Sequence, residues 1–387
     1  MARFIHVVAA LAAAIATTSA ASAQVRERPA AAPAPASDAA TLAAGWNALA
    51  SGQRDAAVRA AAKILARSPW HHSATALRIE ALAASSDSLR GLDAYETWLA
   101  GRSREDAGLL EPVARAVVRQ IATGADVDLR RQAHRLLAAA GVPLPAGASD
   151  ETDRLAGDGA RAKDGDAAAT KRLAAAVTAG TVDPGVLAET LDSAGPAGTP
   201  LLLSMLTTAA GPSRAAAAAA LGRRKAEEAR PALQKLMTDP DPFVRSSATV
   251  ALARMGDDRA MTVVEEMLRS EVPDLRIMAA DAFNGQNGSW VSAILPLLDN
   301  RDGVTRLQAA RLIAPVNPEA ARRTLQEAAG DSNPVIRAEA VRVMEEVAPA
   351  TPDAADLPQA RRLLRDPDPV VRLHAAGVLL AAARAGF

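Results

Sequence analysis

Along the second half of the chain the apolar positions fall on one helical face, broken at a regular interval by Asp and Pro. In 226–255 the stretch 228–238 reads as one helix, closed at Asp239–Pro240. Asp241 then stands where an N-cap belongs, and Pro242 at the first helical position, where its fixed φ suits the turn. The helix that follows carries Val244, Ala248, Ala251 and Leu252 at −1, +3, +6 and +7 from Arg245. The same face returns as Leu275, Ala279, Ala282 and Phe283, and as Ala309, Leu312 and Ile313. It returns again as Ile336, Ala340, Val343 and Met344, and as Val371, Ala375, Val378 and Leu379. The anchoring Arg245, Arg276, Arg306, Arg337 and Arg372 are 31, 30, 31 and 35 residues apart, the last interval stretched by a loop insertion at 348–353. Such a period means stacked helical units. The expected fold is all-α: a right-handed α-solenoid of stacked antiparallel helix pairs.

The series extends backwards. Arg214 lies 31 residues before Arg245, and 183–187 is a degenerate copy with Leu187 in place of the Arg. The segment from Asp128 to Ala133, with Arg130, matches Asp274 to Ala279 position for position. Between these copies, 142–166 is rich in Pro, Gly and Asp and reads as a flexible loop. Upstream, helical patterning is expected over 41–51, 56–67, 72–85 and 88–101. Before it, a charged start, an apolar run from Val7 to Ala16 and Ala21-Ser22-Ala23 read as a signal peptide over 1–23. About ten apolar residues are too few to span a bilayer, so cleavage after Ala23 and a periplasmic or secreted protein without a membrane span are expected. Residues 24–39 read as a Pro/Ala linker. The expected domains are then 40–102, a hairpin at 103–141, the loop at 142–166 and the array at 167–387. The last helix has no following unit, so its own tail or a second chain would have to cover its apolar side.

The Asp-Pro-Asp-Pro runs at 239–242 and 366–369, each followed by Val-Arg after one residue, resemble HEAT repeats, specifically the HEAT-like type named after phycobilisome lyases. So does Met-Gly-Asp-Asp-Arg-Ala at 255–260. The resemblance implies that turn Asp and helix Arg form a ladder between repeats, through Asp241–Arg245, Asp302–Arg306 and Asp368–Arg372, with Arg276 and Arg337 in the same series. Around Trp46, Gly52 and Pro69 the chain resembles tetratricopeptide (TPR) repeats, although the usual Gly–Tyr pairing of the first helix is absent. Generic helical hairpins of the same solenoid are the other reading of this stretch.

Composition narrows the function. Lys+Arg and Asp+Glu are both 44 and only five residues are Lys, so no basic excess points to nucleic acid. With no Cys, disulfides, thiolate metal sites and Cys nucleophiles are excluded. His71 and His72 are adjacent and point apart, while His134 and His374 have no His-Glu or His-x-x-x-His partner. No catalytic, cofactor or metal residues are expected, and the bilin chemistry of the lyases is not carried over. What varies between copies is the helix surface at +2 and +5: Ser247/Val250, Met278/Asp281, Gln308/Arg311, Glu339/Arg342 and His374/Gly377. This ridge fits a protein or peptide partner, and equally an ordinary solvated surface. Trp46, Trp70, Tyr95 and Trp98 are expected mostly in the core; an exposed one would be a candidate peptide anchor. The expected function is a non-enzymatic exported scaffold or adaptor. An assembly or chaperone-like factor for envelope proteins is the alternative, and an enzyme would need a deep pocket with clustered titratable groups.

Overall fold

The computed structural model describes residues 36–100, 102, 104–141, 151–283, 290–349 and 356–386, and these hold 21 α-helices and no strand. The expected signal peptide and most of the expected linker lie outside the described residues. The chain divides into two compact units, Met1–Leu82 and Ala83–Phe387.

In the first unit, α1 (Ala36–Ala50) and α2 (Arg54–Leu65) form a hairpin, followed by α3 (His72–Ala83). The turn between α1 and α2 needs Gly52, whose φ of +77° is the left-handed conformation that closes a helix. Ala57, Ala61, Leu77 and Ala81 form the core, with Leu42, Trp46, Leu49 and Val58 packed against it. Small side chains let the helices approach closely: a Cβ on Gly45 would collide with Leu77 and Ala60. Helix α1 starts before the expected end of the linker at 39. Asp38 is buried in its first turn, where the Arg67 guanidinium donates to it.

The second unit begins earlier than the sequence suggested, because α4 (Leu89–Leu99) belongs to it and packs on α5 (Ala107–Ala122). The Tyr95 hydroxyl donates to Glu105 at 2.7 Å and accepts the Asp106 amide at 2.8 Å, which fixes the α4–α5 turn. Helix α6 (Val127–Ala139) follows, then α7 (Glu151–Lys163), α8 (Ala167–Ala179) and α9 (Pro184–Ser193). Helix α7 lies inside the stretch read as a flexible loop. Its Gly159 serves packing: a Cβ there would stand 2.7 Å from Ser193 Oγ and 2.9 Å from the Thr190 carbonyl of α9. Asp158 is buried there, and Arg172 and Arg161 hold its carboxyl down at about 2, against the opposing push of burial.

Six helix pairs then stack, each with a first helix A and a second helix B. The A positions are α10 (Thr199–Thr208), α12 (Arg230–Leu236), α14 (Asp258–Met267), α16 (Val291–Ile294, continued by a 3₁₀ turn to Asp299), α18 (Pro318–Ala328) and α20 (Leu357–Leu363). The B positions are α11 (Gly211–Arg223), α13 (Pro242–Arg254), α15 (Pro273–Ala282), α17 (Gly303–Ile313), α19 (Pro334–Val347) and α21 (Pro369–Ala385). Each B helix packs on the next. The Ala three residues after each Arg is fully buried at 217, 248, 279, 309, 340 and 375, and this small side chain lets neighbouring helices close up.

The last helix is not left uncovered. Helix α5 lies along α21, and Arg384 Nη1 donates to the Ala139 carbonyl at 2.8 Å. On the A side, Arg361 donates to Glu96 at 2.7 Å and to Glu105 at 3.1 Å, and Arg365 pairs with Asp93 at 2.6 Å. Residues 89–139 therefore follow the Arg372 pair in space, although they precede the array in sequence. The chain covers its own array end with an earlier segment.

Candidate functional site

Four of the six turns before the B helices are built alike, from the Arg and the positions six and four residues before it. The side chain at −6 folds onto the amide at −4: Asp241 N donates to Asp239 at 2.9 Å, Asp302 N to Asn300 at 2.9 Å, Asn333 N to Asp331 at 2.8 Å and Asp368 N to Asp366 at 2.9 Å. The side chain at −4 caps the helix, accepting from Phe243, Thr305, Val335 and Val370 amides at 2.7–3.0 Å. The Arg closes the unit. Its Nη1 returns to the −6 carbonyl at 2.7 Å in Arg245, Arg306 and Arg372, and at 2.9 Å in Arg337. Arg130 does the same to Gly124 at 2.8 Å. Charged donors thus satisfy carbonyls that the end of helix A leaves exposed.

The ladder between repeats runs through other aspartates than those the resemblance implied. Asp241, Asp302 and Asp368 are occupied as caps. The rungs are Arg214 to Asp239, with two bonds of 3.0 Å, and Arg337 to Asp366, with bonds of 2.9 and 3.0 Å. The reason is position: at −6 the carboxylate faces the Arg of the preceding repeat, while at −4 it turns into its own helix. Arg214, aided by the Asp241 amide, holds the Asp239 carboxyl below the ordinary range. Burial raises the Asp366 carboxyl, but Arg337 and the Asp368 amide outweigh it and keep it low. Before Arg214, Ala210 stands at −4 and caps nothing, and at Arg276 the grammar lapses again. Ser270 stands at −6, Val272 at −4 caps nothing, and Arg276 Nε is buried without a hydrogen-bond partner among the described residues.

A second row crosses the B helices at the expected ridge. Asp281 takes Arg254 of α13 and lies 3.9 Å from Arg311 of α17. Arg311 lies 3.5 Å from Glu346 of α19. Arg342 grips Glu339 through two bonds of 2.7 Å, holding that carboxyl below its usual range, and reaches Glu346 at 3.2 Å. His374 Nδ1 lies 2.9 Å from Glu345. Four of the expected ridge residues are thus engaged in ion pairs along the array and His374 in a hydrogen bond, with Met278 and Gln308 half-buried beside them. Ser247, Val250 and Gly377 are buried and do not belong to the surface. A Cβ at Gly377 would stand 2.5 Å from the Glu345 carboxylate, so the glycine makes room for the pair with His374.

Part of this row opens into a groove of about 850 Å³. It is lined by the charged and polar Glu339, Arg342, Glu345 and His374, by the apolar Val304, Val335, Val370 and Leu373, and by Gln132, Arg135 and Leu136 of α6. The expected residues Glu339, Arg342 and His374 meet here; Met278, Asp281, Gln308 and Arg311 do not. Sequence reasoning missed Arg135, because only the return of α6 to the array end brings it in. It also missed Asp239 and Asp366, whose signal was the first Asp of each Asp-Pro-Asp-Pro run. Among the described residues no three His, Asp or Glu side chains gather as a metal-binding set. Of the aromatics, Tyr95 and Trp98 are buried, whereas Trp70 is exposed.

A family model described as HEAT repeats matches residues 199–284 and 291–380. No curated protein matches the chain. Among solved structures, human deoxyhypusine hydroxylase in complex with glycerol is similar at 20% identity, over 71% of this chain and 98% of that one, with a TM-score of 0.34. An engineered protein is similar at 19% identity over the same shares, with a TM-score of 0.23. At these scores neither bears on activity.

Proposed function

This chain is a HEAT-repeat protein, and from that premise we propose that it is a non-enzymatic, exported scaffold that holds a protein partner on the B-helix side of its array. HEAT repeats build helical scaffolds that often mediate protein interactions. The observation that supports this role is the groove. It joins three successive B helices to α6 and is lined by apolar and charged side chains together, the make-up of a recognition surface. The TPR-like reading of the first unit would give a second helical hairpin surface, with Trp70 exposed on it. Export rests on the N-terminal sequence pattern. No described helix is long and apolar enough to cross a membrane.

Crosslinking mass spectrometry in native envelopes tests the role. The expected result is a small, reproducible partner set whose crosslinks map to the B-helix side, and a mature N-terminus at Gln24. A broad set of incompletely folded envelope proteins would favour the assembly-factor reading instead. Crosslinks confined to helix A, or none, would sink the scaffold reading.

A further inference from the structure

The first turns of the B helices carry apolar side chains that the core does not use. Phe243 is 57% exposed, Val304 38% and Val335 65%, each two residues before its Arg, while the intervening repeat has Asp274 at that place and Val272, 50% exposed, at its cap. Val370 stands at the equivalent place in the next repeat, half-buried. A scattered exposed Val needs no explanation, but a row repeated at one edge marks a contact surface. The row runs into the groove, where Val304, Val335 and Val370 share the lining with Leu373 and Leu136.

The spacing selects the shape of the occupant. Packed helices lie about 8–10 Å apart, and a segment in polyproline II conformation advances about 9 Å per three-residue turn, returning every third side chain to the same face. A seven-residue extended segment thus meets three successive repeats with residues i, i+3 and i+6. A helix would have to place contacts seven residues apart.

Charge selects the rest. Most charges along the groove are paired among themselves: Glu339 with Arg342, Glu345 with His374, and Asp368 with the amides of its own helix. Arg135 is exposed and makes no ion pair among the described residues. We propose that this edge binds an extended peptide that sets aliphatic side chains, three residues apart, on Val304, Val335 and Val370 and lays a carboxylate against Arg135. The site rests on the scaffold reading and gives its partner a chemistry. It also moves recognition away from the ion-paired ridge to the N-terminal edge of the B helices.

Selection of a phage-displayed random dodecapeptide library on the whole protein tests this. Enriched sequences should carry Leu, Ile or Val at a three-residue period with a nearby Asp or Glu. As fluorescein-labelled peptides read by anisotropy, they should bind Val335→Asp at least tenfold more weakly and Arg135→Glu at least threefold more weakly. Met278→Ala on the ridge should bind like wild type. Val335 is exposed, so its variant should melt like wild type; Val304→Asp provides a second probe. No enrichment, a seven-residue or absent period, or affinity indifferent to Val335→Asp would overturn the site. The two readings fail separately. A native partner that crosslinks equally to wild type and Val335→Asp overturns this site alone, and the absence of any native partner overturns the scaffold reading alone.

Discussion

The rungs at Arg337 and Arg276 occupy the same place in their helices and share almost nothing else. Arg337 satisfies two carbonyls of its own turn and grips Asp366 of the next repeat with two further bonds. Arg276 faces a turn with Ser270 and Val272, and its Nε is buried without a hydrogen-bond partner among the described residues. Yet both helices pack in register, with Ala279 and Ala340 equally buried. The apolar face sets the stack, and the polar rung adds stability on top of it. The largest effect should therefore fall on the strong rung. Asp366→Ala strands the guanidinium of Arg337, whose side chain is 13% exposed, and should lower stability by about 2–4 kcal/mol in denaturant titration. Arg276→Met removes a buried unpaired polar group and should stay within about 1 kcal/mol of wild type, on either side. Equal losses would mean that the two rungs do the same work and that the contrast is false.

The architecture was legible because it rests on apolar spacing and on caps, both local in sequence. Val244, Ala248 and Leu252 declare the buried face of α13, and Asp241–Pro242 its start, without reference to the rest of the chain. What could not be read was the return of 89–139 to the far end of the array. It depends on charges such as Arg361 and Glu96, 265 residues apart, that carry no periodic signal. The groove inherits this blindness, since α6 supplies part of its lining. Helix α7 was hidden for another reason: glycine is ordinarily a loop residue, and close packing against α9 leaves the same mark in sequence. Gly159→Ala separates the two roles. In a loop or open helix the change would be neutral or gain up to about 1 kcal/mol. Against Thr190 and Ser193 it should cost about 1–3 kcal/mol, measured by thermal melting.

The weak rung can also be strengthened. Val272 has φ −82° and ψ 114°, nearly the backbone of the capping Asp241 at −80° and 117°. Its side chain is half in solvent, so little burial is lost on replacement. Val272→Asp should supply the missing cap to α15 and stabilise the protein by about 0.5–1.5 kcal/mol. A loss of stability would show that Val272 is held by packing and that the lapse at this rung is compensated.

The smallest expected effect is a difference in acid sensitivity. The carboxyls of Asp239 and Asp366 are held below their ordinary values in the folded protein. A group with a depressed folded pKa contributes its stability above the unfolded value, near 4, and loses it as pH falls through the folded value. Between pH 7 and 5 these two groups should contribute no slope, and stability should drop only below about pH 4. Asp366→Asn removes one of them, so its melting temperature should fall less steeply with acid than that of wild type, from a lower starting point. Arg276→Met touches no depressed carboxyl and should keep the wild-type slope. If both variants flattened the acid limb alike, the linkage could not lie in the Arg337–Asp366 rung, and the strong and weak rungs would differ in geometry without differing in electrostatics.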